Sequence, residues 1–262
     1  MKINVLHQFF TCAICAALFF SCTRVTEEKI RSYAVLFWDA SDFAMELTDN
    51  RDVVMFWTNG SGYASFECKG EKAKRYDALC KKFNDLDYKK KTRYIKYIGC
   101  REYFSEEILS IDVVSNADFD AERPAGSSLS GIVRFLSASP LRFIQSGYKD
   151  TYDWEGRQTQ EFLSRFPFSF CYSNEASVAP QHHLVEGLLA ELNQDDLQLL
   201  GTGSSTISYQ TESELFPYGS GYFFGYLSFV QEPDAPGVHE LTVTVLLADG
   251  RSLSQTIEKT FY

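Results

Sequence analysis

The sequence predicts a mainly β protein: an antiparallel β-sandwich with one or two short helices, whose strand spacing also allows an immunoglobulin-like arrangement. Three observations carry the prediction. Short β-branched and aromatic runs recur between polar turns. The C-terminal end alternates apolar and hydroxyl residues at the period of a strand. The composition, 45% apolar and 15% aromatic over 262 residues, supplies a core and excludes a disordered chain.

Taken in order, AVLFW (34–38), VVMFWT (53–58) and YASFEC (63–68) read as strands, set apart by polar stretches such as LTDNRD and the Asn59-Gly60 turn. Tyr76, Leu79, Cys80, Phe83 and Leu86 then recur at helical spacing and predict a helix with one apolar stripe. RYIKYIG (93–99) and ILSIDVVS (108–115) return to strand. After Ser128, the spacing of Leu129, Ile132, Val133 and Leu136 predicts a short helix, capped by serine and stopped by Pro140. Val185, Leu188, Leu189 and Leu192 predict a second helical face, with a strand as the competing reading.

Leu241, Val243, Val245 and Leu247 alternate with Thr242 and Thr244, and the alternation resumes at Leu253 and Ile257. A two-residue turn would set Val245 opposite Ser254, apolar against polar. A three-residue loop, Ala248-Asp249-Gly250, sets Val245 opposite Leu253 and Leu241 opposite Ile257. The sequence therefore predicts that loop, with Gly250 in the left-handed conformation. YFFGYLSFV (222–230) is expected to pair with this hairpin as its third strand.

The first 22 residues form a separate signal. Met1-Lys2 precedes an uncharged run, FFTCAICAALFF (9–20), followed by Ser21, Cys22 and the polar TRVTEEK. At about 1.5 Å per residue this run falls well short of a bilayer core of roughly 30 Å, so it suits a signal peptide rather than a membrane span. The layout resembles a bacterial lipoprotein signal, in which a small residue precedes a Cys that becomes the lipidated N-terminus. That pattern prefers Leu three residues before the Cys. Here Phe19 holds the place and Leu18 the one before, a departure common in Bacteroidetes-type sequences. The resemblance implies loss of residues 1–21, lipidation of Cys22, and a cell-envelope protein held at a membrane, the outer membrane above all, on its periplasmic or surface face. A plain secretory signal, leaving Cys22 an ordinary thiol, is the alternative.

With 25 Lys+Arg against 35 Asp+Glu and a net charge of −10, the chain is a poor candidate for nucleic-acid binding. The acidity is uneven. Residues 69–101 carry twelve basic and four acidic residues, net +8, between stretches of net −4 (23–68) and −15 (102–262). Lys72, Lys74, Lys81 and Lys82 fall mostly off the apolar stripe of the helix, and Lys89, Lys90 and Lys91 follow it. They form a candidate patch for an anionic partner, a lipid headgroup or charged polysaccharide. The competing reading is a solvated face lying over the acidic remainder.

Of the seven Cys, Cys12 and Cys15 leave with the signal and Cys22 is taken by lipid. Cys68, Cys80, Cys100 and Cys171 remain as candidates for structural disulfides in an oxidising compartment, with three pairings open. No C-x-x-C occurs among them, and gaps of 12, 20 and 71 residues do not suit zinc.

Catalytic motifs are few. GSSLSG (126–131) has the wrong spacing for a nucleophile elbow, and GSGYFFG (219–225) runs into aromatic residues rather than a phosphate-binding turn. His182 and His183 are expected to be solvent-exposed, and His239 to sit at a strand start. Asp153 and Glu155 flank Trp154, carboxylates that could serve glycoside hydrolysis, and Trp38, Trp57 and Trp154 could stack on sugars. Core packing is the preferred reading of these rings. No catalytic residue, metal site or cofactor is assigned.

SEEILSIDVVSNADFDAERPAGSSL (105–129) and HELTVTVLLADGRSLSQTIEKTFY (239–262) resemble an uncharacterised lipoprotein family of Bacteroidetes, in which an I-x-I-x-S strand, an acidic stretch and Pro-Ala-Gly-Ser precede a β-rich end. The resemblance implies location and fold style, not an activity. The chain thus divides into a signal (1–21), an N-terminal β-rich region with the basic helix (22–104) and a C-terminal β-sandwich domain (105–262). The expected function is a non-enzymatic binding or assembly role with a glycan or envelope-protein partner. An envelope or glycan hydrolase, and a purely structural envelope lipoprotein, are the alternatives.

Overall fold

The structure, a computed structural model, describes residues 32–48, 51–58, 63–65, 68–88, 101–153, 180–201 and 222–262. The protein is mainly β, as its short apolar runs predict. Its strands are β1 (Leu36–Trp38), β2 (Phe43–Leu47), β3 (Val53–Trp57), β4 (Tyr63–Ser65), β5 (Glu102–Phe104), β6 (Ile108–Ser115), β7 (Val133–Ser139), β8 (His183–Leu188), β9 (Tyr222–Phe229), β10 (Gly237–Leu247) and β11 (Ser252–Phe261). Among the described residues two α-helices accompany them, α1 (Glu71–Lys82) and α2 (Leu141–Gln145).

Two sheets share one core. A five-stranded sheet runs β2-β3-β9-β7-β8, and a three-stranded sheet runs β11-β10-β6. Phe43, Met45, Val53, Met55, Phe135 and Leu227 of the first meet Ile111, Val113, Leu241, Val243 and Val245 of the second. The five-stranded sheet draws strands from both sides of residue 104. An immunoglobulin-like form is not confirmed by this strand order.

Strand composition follows position in the sheet. β10 buries alternate residues and β11 half-buries them, and the pair presents Thr242, Thr244, Ser254 and Thr256 outward, where Thr242 bonds Thr256 and Thr244 bonds Ser254, each at 2.9 Å. β3 is buried at every residue, so it reads as a continuous apolar run. Between β3 and β9 the register slips where Met55 faces Gly225 and Phe56 faces Phe223, which leaves Phe224 as the extra residue of a bulge. Gly225 is required there: a Cβ would collide with the Phe135 ring and the Met55 Cε.

The C-terminal hairpin has the predicted register, with Val245 opposite Leu253 and Leu241 opposite Ile257. The Leu247 N–H donates to the Arg251 carbonyl at 2.9 Å, enclosing Ala248-Asp249-Gly250, and Gly250 has φ 88°. The third strand is a correction: it is β6, not 222–230. β9 instead lies between β3 and β7.

Two further expectations are overturned. Residues 133–139 form β7 rather than a helix after Ser128, because the segment lies mid-sheet with almost every side chain buried. Pro140 does not stop a helix; it occupies the N-cap of α2, where its missing N–H costs nothing. Residues 183–188 form β8, followed by a single 3₁₀ turn at Leu189–Glu191, so the strand reading holds over the helical face. RYIKYIG and the Asn59-Gly60 turn lie outside the described residues.

A third sheet, β4-β1-β5, pairs β1 antiparallel with β4 and parallel with β5. α1 lies on it. Tyr76, Leu79 and Cys80 of the helix join Phe37, Ala64, Tyr103 and the α2 residues Leu141, Phe143 and Ile144 in a second core.

Candidate functional site

The first part of the basic segment folds as predicted into α1, with Tyr76, Leu79, Cys80 and Phe83 buried. Leu86 falls past the last turn and is exposed. Asn84, with φ 59°, supplies the left-handed residue that ends the helix. Its N–H bonds the Lys81 carbonyl at 3.1 Å, and the Asp85 N–H bonds the Cys80 carbonyl at 2.7 Å.

Lys72, Lys74, Lys81 and Lys82 are all exposed on α1. Much of the charge is answered within the chain. Arg75 makes a bidentate pair with Asp39 at 2.6 Å and reaches Glu106 at 3.1 Å. Lys82 pairs with Glu107 at 3.1 Å and Lys74 with Glu71 at 2.6 Å. Arg251, from the turn of the C-terminal hairpin, approaches Glu106 at 3.8 Å and donates to the Ala40 carbonyl. The solvated-face reading accounts for these contacts. Lys89, Lys90 and Lys91 lie outside the described residues, as do Cys22, Cys100 and Cys171.

Cys68 and Cys80 carry free thiols. Cys80 is buried on the helix stripe, and burial pushes its thiol up to about 12, so it is a packing residue rather than a nucleophile.

Below α1 lies a polar cluster that sequence reading missed. The Asp85 carboxylate is 1% exposed and accepts the N–H groups of Tyr33 and Ala34 at 2.5 and 2.8 Å and the Tyr148 hydroxyl at 2.9 Å. Burial raises its pKa above the usual carboxylate value, while these donors and the nearby Arg101 pull it down. Ser32 bonds the Tyr76 hydroxyl, which donates to the Ala34 carbonyl at 2.8 Å. Burial likewise raises the phenols of Tyr33, Tyr76 and Tyr103. The cluster pins the start of the described chain to the end of α1. Its available signal is Asn84-Asp85 directly after an amphipathic helix, a cap and an acceptor side by side.

The histidines are corrections as well. His182 and His183 are buried, not exposed. The Tyr103 hydroxyl meets His182 Nε2 at 2.9 Å, and His183 Nε2 meets the Asp150 carbonyl at 2.9 Å. His239, third residue of β10, sits 2.8 Å by Nδ1 from the Ser115 hydroxyl. This has the form of a nucleophile and base, but both residues point into the sandwich, 2% and 3% exposed, with Phe119 and Phe261 against the imidazole. Burial lowers the His239 pKa. Nearby, Lys259 is also buried, donates to the Arg51 carbonyl and lies 4.7 Å from the Phe261 ring. Ser115, His239 and Lys259 make a polar plug at one end of the sandwich.

Trp38 and Trp57 are core residues, and Trp57 stacks between Phe104 and Phe224 at 4.2 and 4.0 Å. Trp154 and Glu155 lie outside the described residues. No group of three or more His, Cys, Asp or Glu residues able to hold a metal ion occurs among the described residues.

The remaining feature is an edge. Among the described residues β11 ends the three-stranded sheet and pairs only with β10. Since Leu247 bonds Arg251, the odd residues of β11 exchange ladder bonds with β10, and the even residues turn their N–H and C=O groups outward. The bond from the Asn116 N–H to the Glu240 carbonyl fits the same alternation on the opposite side of β10. At the far end Arg51 donates to the outward Thr260 carbonyl at 3.4 Å and stacks on Tyr262. No described residue bonds the backbone of Ser252, Ser254, Thr256 or Glu258 on that side, and all four residues are exposed. No family model matches the chain, and no curated protein or solved structure is significantly similar to it.

Proposed function

We propose that this is a lipid-anchored cell-envelope protein with a non-enzymatic binding or assembly role, engaging a protein partner. The proposal takes the chain as a member of the Bacteroidetes-type lipoproteins that residues 105–129 and 239–262 resemble. Anchoring rests on the apolar run that ends at Ser21-Cys22. No helix among the described residues is long and apolar enough to cross a membrane. The observation that supports a protein partner is the β11 edge, where the outward backbone groups from Ser252 to Glu258 bond no described residue. A glycan platform draws less support, because Trp38 and Trp57 are committed to the core. The Ser115–His239 pair supports the hydrolase alternative weakly, since neither residue faces solvent. Replacing Cys22 with Ser tests the anchor: membrane retention should be lost, and unchanged fractionation with membranes overturns the reading.

A further inference from the structure

At one end of the sandwich, residues 116–126 loop back over the core. Ser115, the last residue of β6, holds both ends of this loop. Its hydroxyl accepts the Ala117 N–H at 3.1 Å, and its carbonyl accepts the Gly126 N–H at 2.8 Å. Between them Phe119 is fully buried, stacked on Phe229 at 5.8 Å and edge-on to His239 and Phe261. The His239 imidazole therefore lies against the loop's plug, with Nδ1 on the same Ser115 hydroxyl.

Among the described residues, His239 Nδ1 is the one acceptor that the Ser115 hydroxyl proton meets, so Nδ1 is assigned as bare. The bonds then run in one direction, from the Ala117 N–H through the Ser115 hydroxyl to His239. A proton on Nδ1 breaks this order: the ring becomes a donor, and the Ser115 proton loses its acceptor. The surroundings offer the cation no compensation. The loop and β9 present the rings of Phe119 and Phe229, and β6 presents only the hydroxyl. β11 places a second cation, Lys259, in register with His239. Arg51, Asp52 and Glu232 act on that lysine. The remaining acids nearby turn elsewhere: Glu240 to Asn116, Asp120 to Arg123, Asp118 to the Ala125 N–H, and Asp234 to solvent. We propose that protonation of His239 opens the 116–126 loop in mild acid, lifting Phe119 and uncovering the Phe229 and Phe261 rings. This device stands apart from the anchor and the partner and depends on neither.

Burial lowers the pKa of His239 in the closed form, and no carboxylate among the described residues offsets it. In the open loop the ring returns to about 6.5, so opening is favoured as pH falls below that value and is indifferent to pH above it. Hydrogen exchange of the Ala117, Phe119 and Gly126 amides in the full chain, corrected for the intrinsic pH dependence of exchange, reads this directly. Protection should fall about tenfold between about pH 7.5 and pH 5, with the Val243 and Val245 amides of β10 as the reference. His239→Asn keeps an acceptor near the Nδ1 position and cannot take up the proton, so its loop should stay protected at the lower pH. Equal protection of the wild-type loop at both values, or the same fall in the variant, overturns the proposal. If the variant does not fold, the wild-type imidazoles decide by NMR. The ring in contact with Phe119 should titrate below about 6.5, and titration at or above that value overturns the proposal.

Discussion

The core between the five-stranded sheet and the β11-β10-β6 sheet is built from Val, Leu, Ile, Met, Phe and Trp on alternating strand positions. The core under α1 instead places the hydroxyls of Tyr33, Tyr76 and Tyr103 and the carboxylate of Asp85 among its rings. In the first, stability follows buried area and tolerates no void. In the second, each buried polar group must be answered by a partner, and a missing partner costs more than a missing contact. The difference teaches that one chain can close two layers by different means: shape where strands are long, hydrogen bonds where strands are three residues long and the helix has only three turns.

Breaking the first core should have the largest effect. Trp57→Ala removes the ring stacked between Phe104 and Phe224 and should cost about 3–5 kcal/mol in urea unfolding. Asp85→Asn tests the second core. It turns an N–H toward groups that are themselves donors, and should cost about 1–3 kcal/mol at neutral pH.

The pH dependence sharpens the contrast. Burial holds the Asp85 carboxyl above its usual value, so the fold takes up a proton there before the unfolded chain does. This group therefore makes the fold less stable as pH rises through that range, and more stable as pH falls. The wild type should gain further on Asp85→Asn between neutral pH and about 4. A gap that stays constant across that range would mean that Asp85 does not titrate.

Smaller effects belong to the surface between the layers. Arg75→Ala loses the paired contacts to Asp39 and Glu106 on a half-exposed helix face and should cost about 0.5–1 kcal/mol, diminishing in high salt. Lys81→Gln should change stability by less than about 0.5 kcal/mol. In the folded protein an alkylating reagent at mildly alkaline pH should label Cys68 and spare Cys80, and unfolding should expose both. Labelling of Cys80 at the rate of Cys68 would mean that the α1 layer opens readily.

What could be read in advance follows the same division. The β10–β11 register was legible because one face of that sheet is wet, and the Thr and Leu positions admit one pairing only. The same reasoning identifies the third strand in hindsight. β6 carries outward Ser110 and Asp112 and can share a wet face, whereas β9, mostly aromatic and buried from Phe223 to Ser228, needs cover on both sides. β7 misled for a related reason. A strand buried on both faces shows no alternation, and Leu129, Ile132, Val133 and Leu136 then fall at helical spacing without forming a helix. Asp85, His182 and His183 were illegible as buried groups, since their partners lie far along the chain: Tyr33 and Ala34 for the first, Tyr103 for the second. Lys259 carried a signal that went unread. It falls on the inward row with Leu253 and Ile257, where a charge marks a sheet end rather than a solvated face.

The position of Asp85 has a mechanical side. A pull from the N-terminal side reaches the described residues at Tyr33 and Ala34, whose N–H groups this carboxylate holds, and passes directly into β1. β1 is the middle strand of its sheet, bonded to β4 on one flank and β5 on the other. Tension along its axis loads both rows of bonds in shear, all together, rather than peeling them one at a time. A chain tethered by that end is gripped where the strain arrives.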